Sequence, residues 1–84
     1  MRLDKFLKVS RLVKRRTVAS ELCRNGRVLV NGKPGKAATG VSAGDILELG
    51  LGAKRLKVRV VEVRERASAA EAQQLYEMIS EGPA

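Results

Sequence analysis

The spacing of apolar residues changes from helical to alternating at Asn25-Gly26, and that change limits what the chain can fold into. Before it, Leu3, Phe6 and Leu7 fall three and four positions apart, which puts them on one face of a helix. Arg2, Lys5 and Lys8 recur on the other face, so residues 2–9 predict a short amphipathic helix with a cationic outer side. Leu12 and Val13 continue the apolar contacts, and Lys14-Arg15-Arg16 then interrupts them as a connector would. Thr17 offers an N-cap, with Val18, Ala19, Leu22 and Cys23 as an inner stripe behind it. Gly26 suits the left-handed position that ends a helix. Two short helices joined by a basic elbow are the expectation.

After Gly26 the period is two. Arg27-Val28-Leu29-Val30 reads as a strand, and Asn31-Gly32 is a strong hairpin or turn signal extended by Lys33-Pro34-Gly35-Lys36. Gly44-Asp45 marks another turn before the strand Ile46-Leu47-Glu48-Leu49, and Gly50 to Ala53 break the pattern. In the next strand Leu56, Val58 and Val60 alternate with Lys57 and Arg59; the slip at Val60-Val61 suggests a bulge or a twist. Ser68-Ala69-Ala70-Glu71 fits a capping box, and Ala72, Leu75, Tyr76 and Ile79 follow at helical spacing, so a last helix is expected over 68–80. The fold class is therefore α+β: two N-terminal helices on a small antiparallel or mixed sheet, with a C-terminal helix. Leu3, Phe6, Leu7, Leu22, Val28, Val30, Leu47, Leu49, Val58 and Val60 are its expected core.

Charge points to the partner. Residues 1–36 carry eleven Lys and Arg against only Asp4 and Glu21, while the remaining residues are close to neutral. A field this one-sided concentrates polyanions, with nucleic acid the leading candidate and an anionic membrane the rival. A membrane-surface helix needs a broad exposed apolar face. Leu3, Phe6 and Leu7 are too few for that, and the core needs them. A solvated, merely soluble surface is the ordinary reading of a charge run, but here almost no acidic neighbours exist to pair with the cations. The turn residues Arg27, Asn31, Lys33 and Lys36 either join the helices around one RNA groove or form an ordinary wet hairpin tip; local pattern alone weighs these about equally.

Other chemistry is thinly represented. In 84 residues there is room for one small-cored domain, whose only aromatics are Phe6 and Tyr76. With no His and one Cys, a zinc site has no ligand set, and Cys23 has no His to activate it, so Cys23 reads as a small buried hydrophobe. A single Cys forms no internal disulfide, which favours a reducing compartment. No apolar run reaches the roughly 18 residues of a membrane span, and the N-terminus lacks the apolar core of a secretory signal. A cytoplasmic protein is expected. Asp45 and Glu48 read as turn and strand residues, and there is no phosphate-binding glycine loop. No catalytic residue, metal or cofactor is expected, and the chain is not read as an enzyme.

The ordered set Arg2-Leu3-Asp4-Lys5-Phe6-Leu7, Lys14-Arg15-Arg16-Thr17, Gly26-Arg27-Val28-Leu29-Val30-Asn31-Gly32, Lys36 and Gly44-Asp45 closely resembles the S-four RNA-binding domain. The resemblance covers residues 1–63, with 64–84 as a C-terminal helical extension. It implies two helices packed on a small bent sheet, with RNA lying along the helix pair. The family's RNA-contacting positions fall on Arg2, Lys5, Arg11, Lys14, Arg15, Arg16 and Thr17, and on Arg27, Asn31 and Lys33 in the turn. Lys8 and Lys36 join them on charge, and Asp4 is expected to orient a neighbouring Arg, since a carboxylate facing phosphate would repel it.

Within that family the stretch Met1 to Thr17, the absence of an attached catalytic domain and the expected C-terminal helix with Tyr76 resemble the RqcP-like bacterial ribosome-quality-control factors. The related heat-shock S-four proteins carry a longer basic tail, whereas Glu71, Glu77 and Glu81 stand here. The resemblance implies binding to obstructed large ribosomal subunits through large-subunit rRNA and peptidyl-tRNA. It also implies a partner, RqcH, that drives alanine tailing of the stalled chain, and a monomeric protein. A generic rRNA-binding module for ribosome assembly or recycling is the alternative, as is a protein-interaction module docking by its C-terminal helix.

Overall fold

A computed structural model describes residues 1–83. The elements run α1 (Leu3–Val9), α2 (Arg16–Arg24), β1 (Val28–Val30), β2 (Lys33–Pro34), β3 (Ile46–Leu51), β4 (Lys54–Val60), α3 (Ala69–Ala72) and β5 (Tyr76–Pro83). The strands form one antiparallel sheet in the order β2-β1-β3-β4-β5. The expected α+β class holds, and the sheet is antiparallel rather than mixed.

The two helices pack on one another and share a single apolar core with the sheet. Leu3, Phe6, Leu7, Val28, Leu47, Leu49, Val58 and Val60 are buried as the spacing predicts, while Leu22 and Val30 pack at its margin half-buried. Val13, Ala19, Cys23, Val41, Leu56 and Leu75 complete it. α1 has no side-chain cap; its first amides are instead satisfied by the 37–41 loop, Leu3 N–H donating to the Thr39 carbonyl and Asp4 N–H to that of Ala37. That loop can approach because Gly35 has no side chain: a Cβ there would lie 2.7 Å from Leu3 Cδ2 and 2.9 Å from Val30 Cγ2.

The β1–β2 hairpin turns through Asn31 (φ 53) and Gly32 (φ 83), the pair of left-handed residues of a type I′ turn, whose twist matches the strands. Gly50, read from sequence as part of a break, stays in β3 opposite Arg55, and the β3–β4 turn is only Gly52-Ala53.

Further local expectations are corrected. Thr17 is not the N-cap of α2: the cap is Arg15, without a side-chain hydrogen bond, because Arg16 already turns into the helix, from where its side chain reaches Asp4. Val18 is 42% exposed, since the inward stripe of α2 runs through Ala19, Leu22 and Cys23 and Val18 points past it. The helix expected over 68–80 is one turn. The capping box forms as predicted, with Ser68 and Glu71 bonding reciprocally, but it starts only Ala69–Ala72; Leu75 then drops into the core. Tyr76–Pro83 pairs along β4 instead.

The physical reason for the last correction is the edge of β4. A helix here would leave a row of unpaired main-chain groups, whereas a strand satisfies them and adds the cross-strand pairs Arg59–Glu77 (2.9 Å) and Lys54–Glu81 (3.5 Å). The C-terminal part of the 64–84 extension is therefore the fifth strand of the same sheet, with Pro83 at the end of an edge strand, where it is tolerated. The slip at Val60-Val61 is no bulge but the end of β4. The irregularity lies in β5, where Ile79 is the extra residue between the pairs Lys57↔Ser80 and Val58↔Met78.

Candidate nucleic-acid interface

Asp4 is the centre of the helical half of the site. It is on the inner side of α1's first turn and only 3% exposed. Arg2 reaches it from the residue before α1, with Nε 3.2 Å from Oδ1. Arg16 reaches it from the first turn of α2, with Nε 3.2 Å from Oδ2 and Nη2 donating to Oδ1. Ser20 Oγ donates to Oδ2 at 3.3 Å. Burial raises the Asp4 pKa, but the hydrogen bonds and positive charge of Arg2 and Arg16 outweigh it and hold the carboxyl below its ordinary value. One buried carboxylate thus fixes two guanidiniums whose side chains remain about half exposed (53% and 49%). The thiol of Cys23 is pushed up, first by burial and then by the Asp4 charge.

The elbow between the helices is built by a strained residue. Arg11 has φ 62, in the left-handed region that costs a side-chain-bearing residue roughly 1–2 kcal/mol. Its N–H donates to the Lys8 carbonyl and that of Val13 to the Leu7 carbonyl, which closes α1 and buries Val13. Lys14 and Arg15 are left in solvent. Lys8, Arg11 and Lys14 share the lining of a groove of about 300 Å³. At the start of α2 the first-turn amides have no side-chain cap, a geometry that favours anions.

Not all the candidate cations are equally free. Lys5 is paired with Glu65, which reaches α1 from the segment after β4 and whose own pKa is lowered by Lys5. Lys8, Arg11, Lys14, Arg15, Arg24, Arg27, Lys33 and Lys36 make no ion pair among the described residues. Thr17 is exposed in the first turn of α2.

In the turn half, Asn31 is committed to the scaffold: its Nδ2 donates to Asp45 Oδ1, and its Oδ1 accepts from Ile46 N–H. Asp45 in turn accepts from Ser42 N–H, the turn chemistry expected of Gly44-Asp45. The Arg27 side chain lies along Gly50, at whose position a Cβ would sit 3.4 Å from Arg27 Cδ. Lys33 and Lys36 are exposed on β2 and just after it. Lys36 faces Arg24 across a groove of about 520 Å³. Arg24, absent from the sequence-derived set, could have been found from its place one turn beyond Ser20 on the unpaired basic face.

Residues 1–47 match the family model described as the S4 domain. The chain belongs to the S4-domain family. It is 52% identical over 83 residues to the RQC P-site tRNA stabilizing factor of Halalkalibacterium halodurans, an alignment covering 99% of this chain and 94% of that one. It is 40% identical to the heat shock protein 15 homolog of Aeromonas salmonicida over 92% of this chain but only 59% of that protein, which is the longer. The trimeric structure of Vibrio cholerae heat shock protein 15 superposes with a TM-score of 0.89 at 31% identity, covering 95% of this chain and 82% of the other. The S4 fold expected from the residue pattern is thus the fold observed. Its family match spans α1, α2, β1, β2 and the start of β3, the part that holds every candidate RNA-binding residue.

Proposed function

We propose that this chain is an RNA-binding translation quality-control factor that acts by binding rather than by catalysis. It grips rRNA of an obstructed large ribosomal subunit, together with the peptidyl-tRNA still held there. It steadies that tRNA while alanine tailing of the stalled chain proceeds with RqcH as partner, which makes the cytoplasm its place of work. The observation that carries this reading is the set of exposed, unneutralised cations along α1, the elbow and α2, of which Lys8, Lys14 and Arg15 have no acidic partner among the described residues. Relatives named for stabilising P-site tRNA, aligned over nearly the whole length of both chains, support the choice of tRNA as ligand. Arg2 and Arg16 serve as prepositioned forks, since guanidiniums already held by Asp4 lose less freedom when they meet a phosphate.

Sedimentation with purified large subunits, with and without peptidyl-tRNA, tests the reading. Co-sedimentation strengthened by peptidyl-tRNA and lost in high salt is expected. A second reading, a general rRNA-binding role, draws on the 40% identical heat-shock relative and predicts equal binding to both kinds of subunit. Equal binding would therefore displace the first reading, and no binding to either would remove both.

A further inference from the structure

The groove of about 520 Å³ between α2 and the segment after β1 is larger than the grooves of about 200 and 300 Å³ beside α1. One wall is the face of α2 that carries Ser20, Cys23 and Arg24, spaced three and four apart; the other is the turn with Pro34, Lys36 and Ala37. Its volume falls in the range of about 300–1,000 Å³ usual for small-ligand sites.

The chemistry of the lining is divided. The floor is apolar or already satisfied. Cys23 is buried with a raised pKa, which keeps it an uncharged thiol, and the Ser20 hydroxyl is spent on Asp4. The Lys36 N–H is spent on Thr39 Oγ1. The rim is cationic: Arg24 and Lys36 are exposed and make no ion pair among the described residues. An apolar slot between two free cations complements a group that is flat and poorly solvated in its middle and anionic on both sides.

We propose that this groove takes one unstacked nucleobase of the bound RNA, with its flanking phosphates on Arg24 and Lys36. The inference rests on the RNA-binding reading above and adds to it a base-dependent contact. The Pro34 ring supplies an apolar flat surface against which the base lies. With the Ser20 hydroxyl proton given to Asp4 and Cys23 an uncharged thiol, the groove reads the presence of a base rather than its identity.

The test uses two RNA hairpins equal in length and phosphate count: one with a single bulged adenosine, the other with an abasic ribose at that position. The full chain should bind the bulged-base hairpin about tenfold more tightly, a low-end value for stacking one base. Ala37→Leu, which narrows the groove without altering charge, should bring that ratio to near one by weakening binding of the bulged-base hairpin. In the unmodified protein, the amide NMR signals of Gly26 and Gly35 should shift with the bulged-base hairpin and not with the abasic one, a measurement independent of whether the variant folds. Equal affinity of the unmodified protein for both hairpins overturns the base site while leaving the RNA-binding reading standing. Loss of binding to both at low salt overturns that reading and the base site with it.

Discussion

Replacing Asp4 by Asn tests whether the helix pair is held by one carboxylate. Asp4 is 3% exposed and accepts hydrogen bonds from Arg2, Arg16 and Ser20. A hydrogen bond to a charged group is worth about 1.5–3 kcal/mol. Both arginine side chains are about half in water, so screening takes each bond toward the low end. Asn keeps one acceptor oxygen, so a net loss of about 2 kcal/mol is expected. For a domain of this size that lowers Tm by roughly 10 °C.

The pH dependence carries the sharper test. The folded-state pKa of Asp4 lies below its ordinary value of 3.8, so its contribution is present above that value and is lost as pH falls through the folded pKa. The stability difference between the unmodified protein and Asp4→Asn, measured by urea unfolding, should be constant near neutrality and close as pH drops below 3.8. A difference that persists unchanged well below that pH, or a variant as stable as the original at neutral pH, would refute the account of Asp4.

Further outcomes follow from the elbow and from the end of α1 beside it. Arg11→Gly should stabilise the domain by about 0.5–1 kcal/mol, because relief of the left-handed strain exceeds glycine's added entropy cost. The same change should weaken RNA binding, a pairing visible in a thermal melt beside an RNA titration. The logarithm of RNA affinity should fall linearly with the logarithm of salt concentration, and Lys8→Ala should make the slope shallower by about one phosphate's worth, roughly 0.7–0.9.

The N-terminal half was legible because its signals are local and agree with one another. Leu3, Phe6 and Leu7 set the buried face of α1, and Asn31-Gly32 set the hairpin through the two left-handed residues of its turn. Ser68 to Glu71 misled because a capping box specifies how a helix begins and says nothing of how far it continues. The rest of that segment was decided by a distant fact, the unpaired edge of β4, which no window around Tyr76 contains. The candidate cations could be named from charge, but not their states. That Lys5 is held by Glu65, sixty residues away, and that Asn31 is spent on Asp45 and Ile46, depends on tertiary approach. Arg11 in the left-handed region gave no sequence sign, since arginine has no preference for it.

The central claim is that the unpaired cations of the elbow grip the RNA, and Lys14→Glu with Arg15→Glu tests it most directly. Both side chains are exposed and free of ion pairs among the described residues, unlike Arg16, whose reversal would set a second carboxylate against Asp4. The measurement is the affinity for large subunits carrying peptidyl-tRNA, with circular dichroism confirming the fold of the double variant. The account predicts a folded protein whose binding is lost. A folded double variant that still binds these subunits as tightly as the original would contradict it.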